Sequence, residues 1–158
     1  VPICISNTFL FASDAQRSDI PQTVSFTVLI SSTGSADSPS EQSVTLINSI
    51  EDIRNAFEAL YSGERMAAYR QSLPAIDLER GSAVLLDMGY QGSLGNYIAA
   101  SKATTKDGEY LLTFATLKNY CLAPSVPHRP FQLLYFDIKI DVLKTRHIEG
   151  TINCKNTQ

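Results

Sequence analysis

The chain has 158 residues, about one domain's worth of polypeptide. Hydrophobic residues make up 44% and charged residues 18%, a globular mixture that excludes a disordered chain. Thirteen basic against sixteen acidic side chains leave a formal charge of -3, which argues against nucleic-acid binding, and no apolar run approaches the ~18 residues of a membrane span.

The chain opens Val1-Pro2-Ile3-Cys4 with no Met, which reads as a processed start. Lipidation at Cys4 is rejected because the preceding Ile3 is not small. Residues 3–11 read as a first strand. Residues 23–31 form a second, with Val24, Phe26, Val28 and Ile30 alternating with polar neighbours. Residues 32–42, rich in serine, read as a loop, and Ser43–Ile47 as a short strand.

A helix is expected next. Ser49 is placed to cap it, Glu51 and Asp52 suit its positive end, and Ile50, Ile53, Phe57 and Leu60 recur at helical spacing. Gly63 suits its end. A second helical piece over 64–72 is stopped by Pro74, which makes the helical segment about 49–72. Beyond it, Ala83–Met88 reads as a buried strand and Gly89–Gly95 as a glycine-rich turn. Residues 96–105 and 109–117 form a hairpin around Asp107-Gly108. Residues 119–130 read as a loop. Phe131–Ile140 forms a strand with Leu134, Phe136, Ile138 and Ile140 on one face, and 145–154 a final strand. The expected fold is a single α+β domain over 1–158, a mainly antiparallel sheet or sandwich with one helical segment packed on it.

Catalytic sets are scarce. His128 and His147 are the only histidines, and neither lies in a metal-binding or nucleophile pattern. A Cys121–His128 pair is conceivable, but no helix start lies there to lower the thiol pKa, so a loop thiol and a solvated imidazole are the simpler reading. Asp77, Asp87 and Asp137 read as a polar rim. The 89–95 glycines do not match a phosphate loop, and no helix follows them. No enzyme activity, metal or cofactor is expected.

Three cysteines remain. Cys4 and Cys154 lie near opposite ends in strand-like segments. A Cys4–Cys154 disulfide is the expectation, with Cys121–Cys154 as the competing pairing. Low lysine with many serines, threonines and asparagines leans towards an exported protein.

The helix with its Ser49-Ile50-Glu51-Asp52 cap is followed by Ile76-Asp77-Leu78, the apolar strand Ala83–Met88 and Gly92-Ser93-Leu94-Gly95-Asn96-Tyr97-Ile98. A hairpin, a Cys/Pro loop and Pro130-Phe131-Gln132-Leu133 come next. In this order the chain resembles the PrcB-type domain over about residues 22–140. It departs from the family's Gly-Gly-Tyr with Gly95-Asn96-Tyr97. The resemblance implies a non-catalytic, exported accessory subunit, secreted or in a bacterial periplasm or cell envelope, that binds a protein partner such as a peptidase. A fainter likeness is to chagasin-like inhibitors of cysteine proteases, on Arg129-Pro130-Phe131 and the 92–97 loop. Binding residues on these readings are Tyr90, Asn96, Tyr97, Arg129 and Phe131. Core packing is the simpler role for Tyr97 and Phe131, which both sit at strand starts.

Overall fold

A computed structural model describes residues 19–34, 40–61, 75–121 and 125–154. The expected strand over 3–11, Cys4 and the helical piece over 64–72 lie outside these. The described elements are β1 (Gln22–Val24), β2 (Thr27–Gly34), β3 (Ser43–Ile47), α1 (Ile50–Leu60), β4 (Ser82–Asp87), β5 (Tyr97–Lys106), β6 (Glu109–Asn119), β7 (Arg129–Phe136) and β8 (Leu143–Ile152). No helix among them is long and apolar enough to cross a membrane.

The strands form two four-stranded sheets. The first has the order β1-β5-β6-β8, and the second β2-β7-β4-β3. All pairs are antiparallel except β6–β8, which is parallel. The fold is therefore α+β with mainly antiparallel sheets and a helix packed on them.

The second sheet is the middle layer. Period-two alternation sends Ala83, Leu85, Phe131 and Leu133 to one face, where they pack with Ile53, Phe57 and Leu60 of α1. It sends Val84, Leu86, Leu134 and Phe136 to the other, against Ile98, Ala103, Leu112 and Phe114 of the first sheet. A strand buried on both faces favours an apolar run; every residue of β4 is buried, and its polar ends Ser82 and Asp87 are hydrogen-bonded. Gln132 joins the layers: its side-chain carbonyl accepts the Ala100 N–H at 2.8 Å.

The helix begins as its sequence dictates. The Ser49 side chain accepts the Asp52 N–H at 3.1 Å. Phe57 stacks on Tyr61 and meets Phe131 edge-on. The β5–β6 turn has Asp107 at φ 53° and Gly108 at φ 80°, the left-handed pair a two-residue hairpin requires.

Several expectations need correction. Residues 23–31 are not one strand. β1 belongs to the first sheet and β2 to the second, so the chain changes sheets at Ser25–Phe26. β2 runs on to Gly34, because Ser32, Thr33 and Gly34 pair with Phe131, Pro130 and Arg129. β7 stops at Phe136. The chain bends at Asp137, which leaves Ile138 exposed, while Ile140 returns to the core and its N–H donates to Ser82 Oγ at 2.9 Å. Asp87 is not on a polar rim. It is 2% exposed, and its carboxylate accepts from Arg129 Nε and Nη2 and from the Gly89 N–H. Asp77 and Asp137 do lie at the surface, where Asp77 accepts the Glu79 and Arg80 N–H groups and Asp137 pairs with Arg80.

The disulfide joins Cys121 to Cys154, with Cα atoms 5.1 Å apart. The expected Cys4–Cys154 bond is thereby corrected. The cause is the parallel register of β6 and β8, which sets Asn119 beside Ile152. Two residues beyond each of these come Cys121 and Cys154, and the Tyr120 N–H donates to the Ile152 carbonyl at 3.0 Å.

Candidate protein-binding face

The structure divides the five residues singled out from sequence. Phe131 is 1% exposed and belongs to the core under α1. Arg129 is nearly buried: it pairs with Asp87 and donates from Nη1 to the Ala59 carbonyl near the end of α1. A cation there meets the negative end of the helix dipole. Both residues lie within β7, a central strand, and not in a surface loop.

Tyr97 is different. Ile98 is the residue that turns inward, so alternation turns Tyr97 outward, 51% exposed. Register then defines its neighbours. Tyr97 lies beside Leu117, and Leu117 beside Gly150. One row on, Ala99 lies beside Ala115, and Ala115 beside Ile148. A Cβ added at Gly150 would come within 3.0 Å of the Leu117 side chain, which puts both on the outer face. Ile148 is 51% exposed and Ile152 40% exposed. These residues make one apolar face that nothing among the described residues covers. Further along the same face the row Lys102, Thr113, Arg146 is polar and cationic, and beyond it Lys144 is paired with Glu109 at 2.7 Å.

Asn96 organises the loops at the top of this face. Its side-chain amide donates to Gln91 Oε1 at 3.0 Å, and its carbonyl accepts the Asn119 N–H at 2.8 Å. Asn119 in turn accepts the Cys121 N–H at 2.9 Å. The preceding Gly95 has φ +90°, and a Cβ there would meet Asn119 Nδ2 at 2.7 Å. The Asn96 side chain thus holds two loops together. Gln91 and His128 exchange backbone hydrogen bonds, and Ser125 Oγ donates to the Gly92 carbonyl. Tyr90 stands exposed at the start of this turn.

His128 is buried with its ring beside the Val126 and Asn96 carbonyls, and Cys121 is bonded to Cys154. That sulfur cannot serve as a thiolate beside the imidazole.

A cleft missed in the sequence lies between the two sheets on the side where β3 and β8 are the outermost strands. It has a volume of about 570 Å³, with Val44 and Leu46 on one wall and Phe114, Leu143, Thr145 and His147 on the other. His147 stacks on Phe114, with ring centroids 5.0 Å apart, and its Nε2 lies 2.6 Å from Thr116 Oγ1. Its Nδ1 lies 3.5 Å from the Gln42 amide across the opening. The pattern Leu143, Thr145, His147 carried only a weak sequence signal, because half of an edge strand's inward set is polar. No protein-family model, no curated protein and no solved structure matches this chain.

Proposed function

We propose that the chain is a non-catalytic binding module that attaches to a partner protein through the outer face of the first sheet. The observation that carries this reading is the apolar face formed by Tyr97, Leu117, Ile148 and Ile152, which nothing among the described residues covers. Exposed contiguous apolar surface rimmed by polar groups is characteristic of interaction sites. Tyrosine suits such sites because it offers a large contact area at low cost in side-chain entropy. The Asn96 hydrogen bonds and the disulfide hold the adjoining loops in place, which lowers the ordering cost on binding.

The PrcB-type resemblance supports an accessory role, with a peptidase as the partner. The disulfide favours an oxidising location, secreted or in the periplasm or cell envelope. The inhibitor reading retains only the 92–97 loop at the surface, since Pro130 and Phe131 are buried.

Affinity capture from the native source tests the proposal. The native chain should retain one abundant protein that Tyr97→Ser combined with Ile148→Ser does not. Equal recovery by both chains would overturn the choice of face. No turnover of peptide, ester or glycoside substrates is expected, and turnover abolished by His128→Ala would overturn the non-catalytic role.

A further inference from the structure

Four strands stand at sheet edges, and three of them are protected. β1 has three residues, β3 has five, and β2 is interrupted by a bulge between Val28 and Ile30. Short or irregular edges resist pairing with other chains. β8 has ten residues without a bulge or a proline, and among the described residues it pairs only with β6. Its two charged outward side chains differ. Lys144 is neutralised by Glu109, whereas Arg146 has no ion-pair partner among the described residues.

The phase of the open edge is fixed by the bond from the Tyr120 N–H to the Ile152 carbonyl. Along a strand, the N–H and C=O of one residue point to one side and those of the next to the other. Ile152, Gly150, Ile148 and Arg146 therefore turn their backbone groups to β6. Thr151, Glu149, His147 and Thr145 turn theirs to the open edge. Side chains of this second set also look inward, as Thr145 and His147 do where they line the cleft.

Among the described residues nothing pairs with this edge, and it lies directly beside a cleft whose lining mixes the apolar Val44, Leu46 and Phe114 with the polar Asp141, Thr145 and His147. We propose that the open edge of β8 accepts an extended segment of a partner polypeptide, apolar where it faces the cleft and acidic where it passes Arg146. Neighbouring strands share the sense of their side chains. Every second side chain of the incoming segment would enter the cleft against Val44, Leu46 and Phe114. The intervening ones would lie outside, where a carboxylate meets the guanidinium of Arg146, which has no ion-pair partner among the described residues. Backbone pairing supplies affinity in this mode, and the alternate pockets supply specificity. The site adjoins the Tyr97 face through Arg146, but its edge and cleft are distinct from that face, and it holds whether or not that face binds a protein.

The test uses the full chain labelled with nitrogen-15 and two blocked peptides of about twelve residues, one alternating glutamate with valine and one lysine with valine. With the acidic peptide, the amides of Thr145, His147, Glu149 and Thr151 should exchange about tenfold more slowly or better. Those of Arg146, Ile148 and Gly150 should be slow already, and the methyl signals of Val44 and Leu46 should shift. Arg146→Glu should transfer the preference to the lysine peptide. Thr145→Pro, which removes an outward N–H from an edge strand, should keep the thermal transition and lose the peptide. No slowing on β8, equal response to both peptides, an unchanged preference in Arg146→Glu, or sedimentation showing that β8 pairs with a second copy of this chain would each overturn the proposal.

Discussion

β4 and β8 show how differently the two sheets are used. All six residues of β4 are buried, and none of the ten in β8 is. β4 lies in a sheet with α1 on one face and the first sheet on the other, so its sequence is polar only where the side chain is hydrogen-bonded or paired, at Ser82 and Asp87. Among the described residues β8 is covered on part of its inner face only, and its sequence mixes Lys144, Arg146 and His147 with Ile148 and Ile152. The comparison assigns stability to the second sheet and surface chemistry to the first. Substitutions in the two should therefore have opposite profiles.

The largest losses of stability should come from the second sheet and its helix. Phe57→Ala removes a buried ring that contacts Tyr61 and Phe131, and should cost about 3–5 kcal/mol in urea unfolding. Asp87→Ala should cost a similar ~3–5 kcal/mol, since it strands the Arg129 cation in the interior. A loss under about 1 kcal/mol in either would remove the distinction between the sheets.

Reduction of Cys121–Cys154 comes next. The bond closes a loop with a sequence separation of 33, for which the chain-entropy model gives ~3–4 kcal/mol, and measured values often fall below that. Non-reducing peptide mapping should recover the Cys121–Cys154 linkage. Gln132→Ala lies at the contact between the sheets. It should cost about 1–3 kcal/mol, because the Ala100 N–H loses its acceptor in a partly buried setting.

Smallest of all should be changes on the first sheet's surface. Tyr97→Ser and Ile148→Ser should move stability by no more than about 0.5 kcal/mol each while abolishing partner retention. The Lys118–Glu149 pair gives a slight pH dependence. The hydrogen bond from Lys118, and then its charge, hold the Glu149 carboxyl below its ordinary value. That contribution is complete above the ordinary value of 4.5 and is lost as pH falls through the lowered one. The hydrogen bond to Glu149 likewise raises Lys118, whose contribution is present below 10.5 and is lost as pH rises through its raised value. Thermal unfolding of Glu149→Gln across pH should lose both limbs.

Much of the fold was legible in the sequence. The Ser49 cap and the Ile53, Phe57, Leu60 stripe placed α1, and Asp107-Gly108 placed the hairpin, because these signals are local. The change of sheet at Ser25–Phe26 was not legible. Val24 and Phe26 both pack on the same core, so their alternation continues although the pairing partner changes. Periodicity reports the side that is buried and not the strand alongside. The same limit explains the candidate site. A tyrosine and a phenylalanine at expected strand starts look alike, yet Phe131 lies inside a central strand and Tyr97 faces out of a sheet that nothing among the described residues covers. The disulfide depended on the parallel β6–β8 register, which arises from a crossover through the other sheet and leaves no local mark.

A photo-reactive benzoyl-phenylalanine at position 97, compared with one at position 55 on the exposed side of α1, tests the central claim most directly in the native source. One discrete protein adduct from position 97 and none from position 55 is the expected result. Adducts of equal yield from both positions, or from position 55 alone, would contradict the assignment of partner binding to the first sheet.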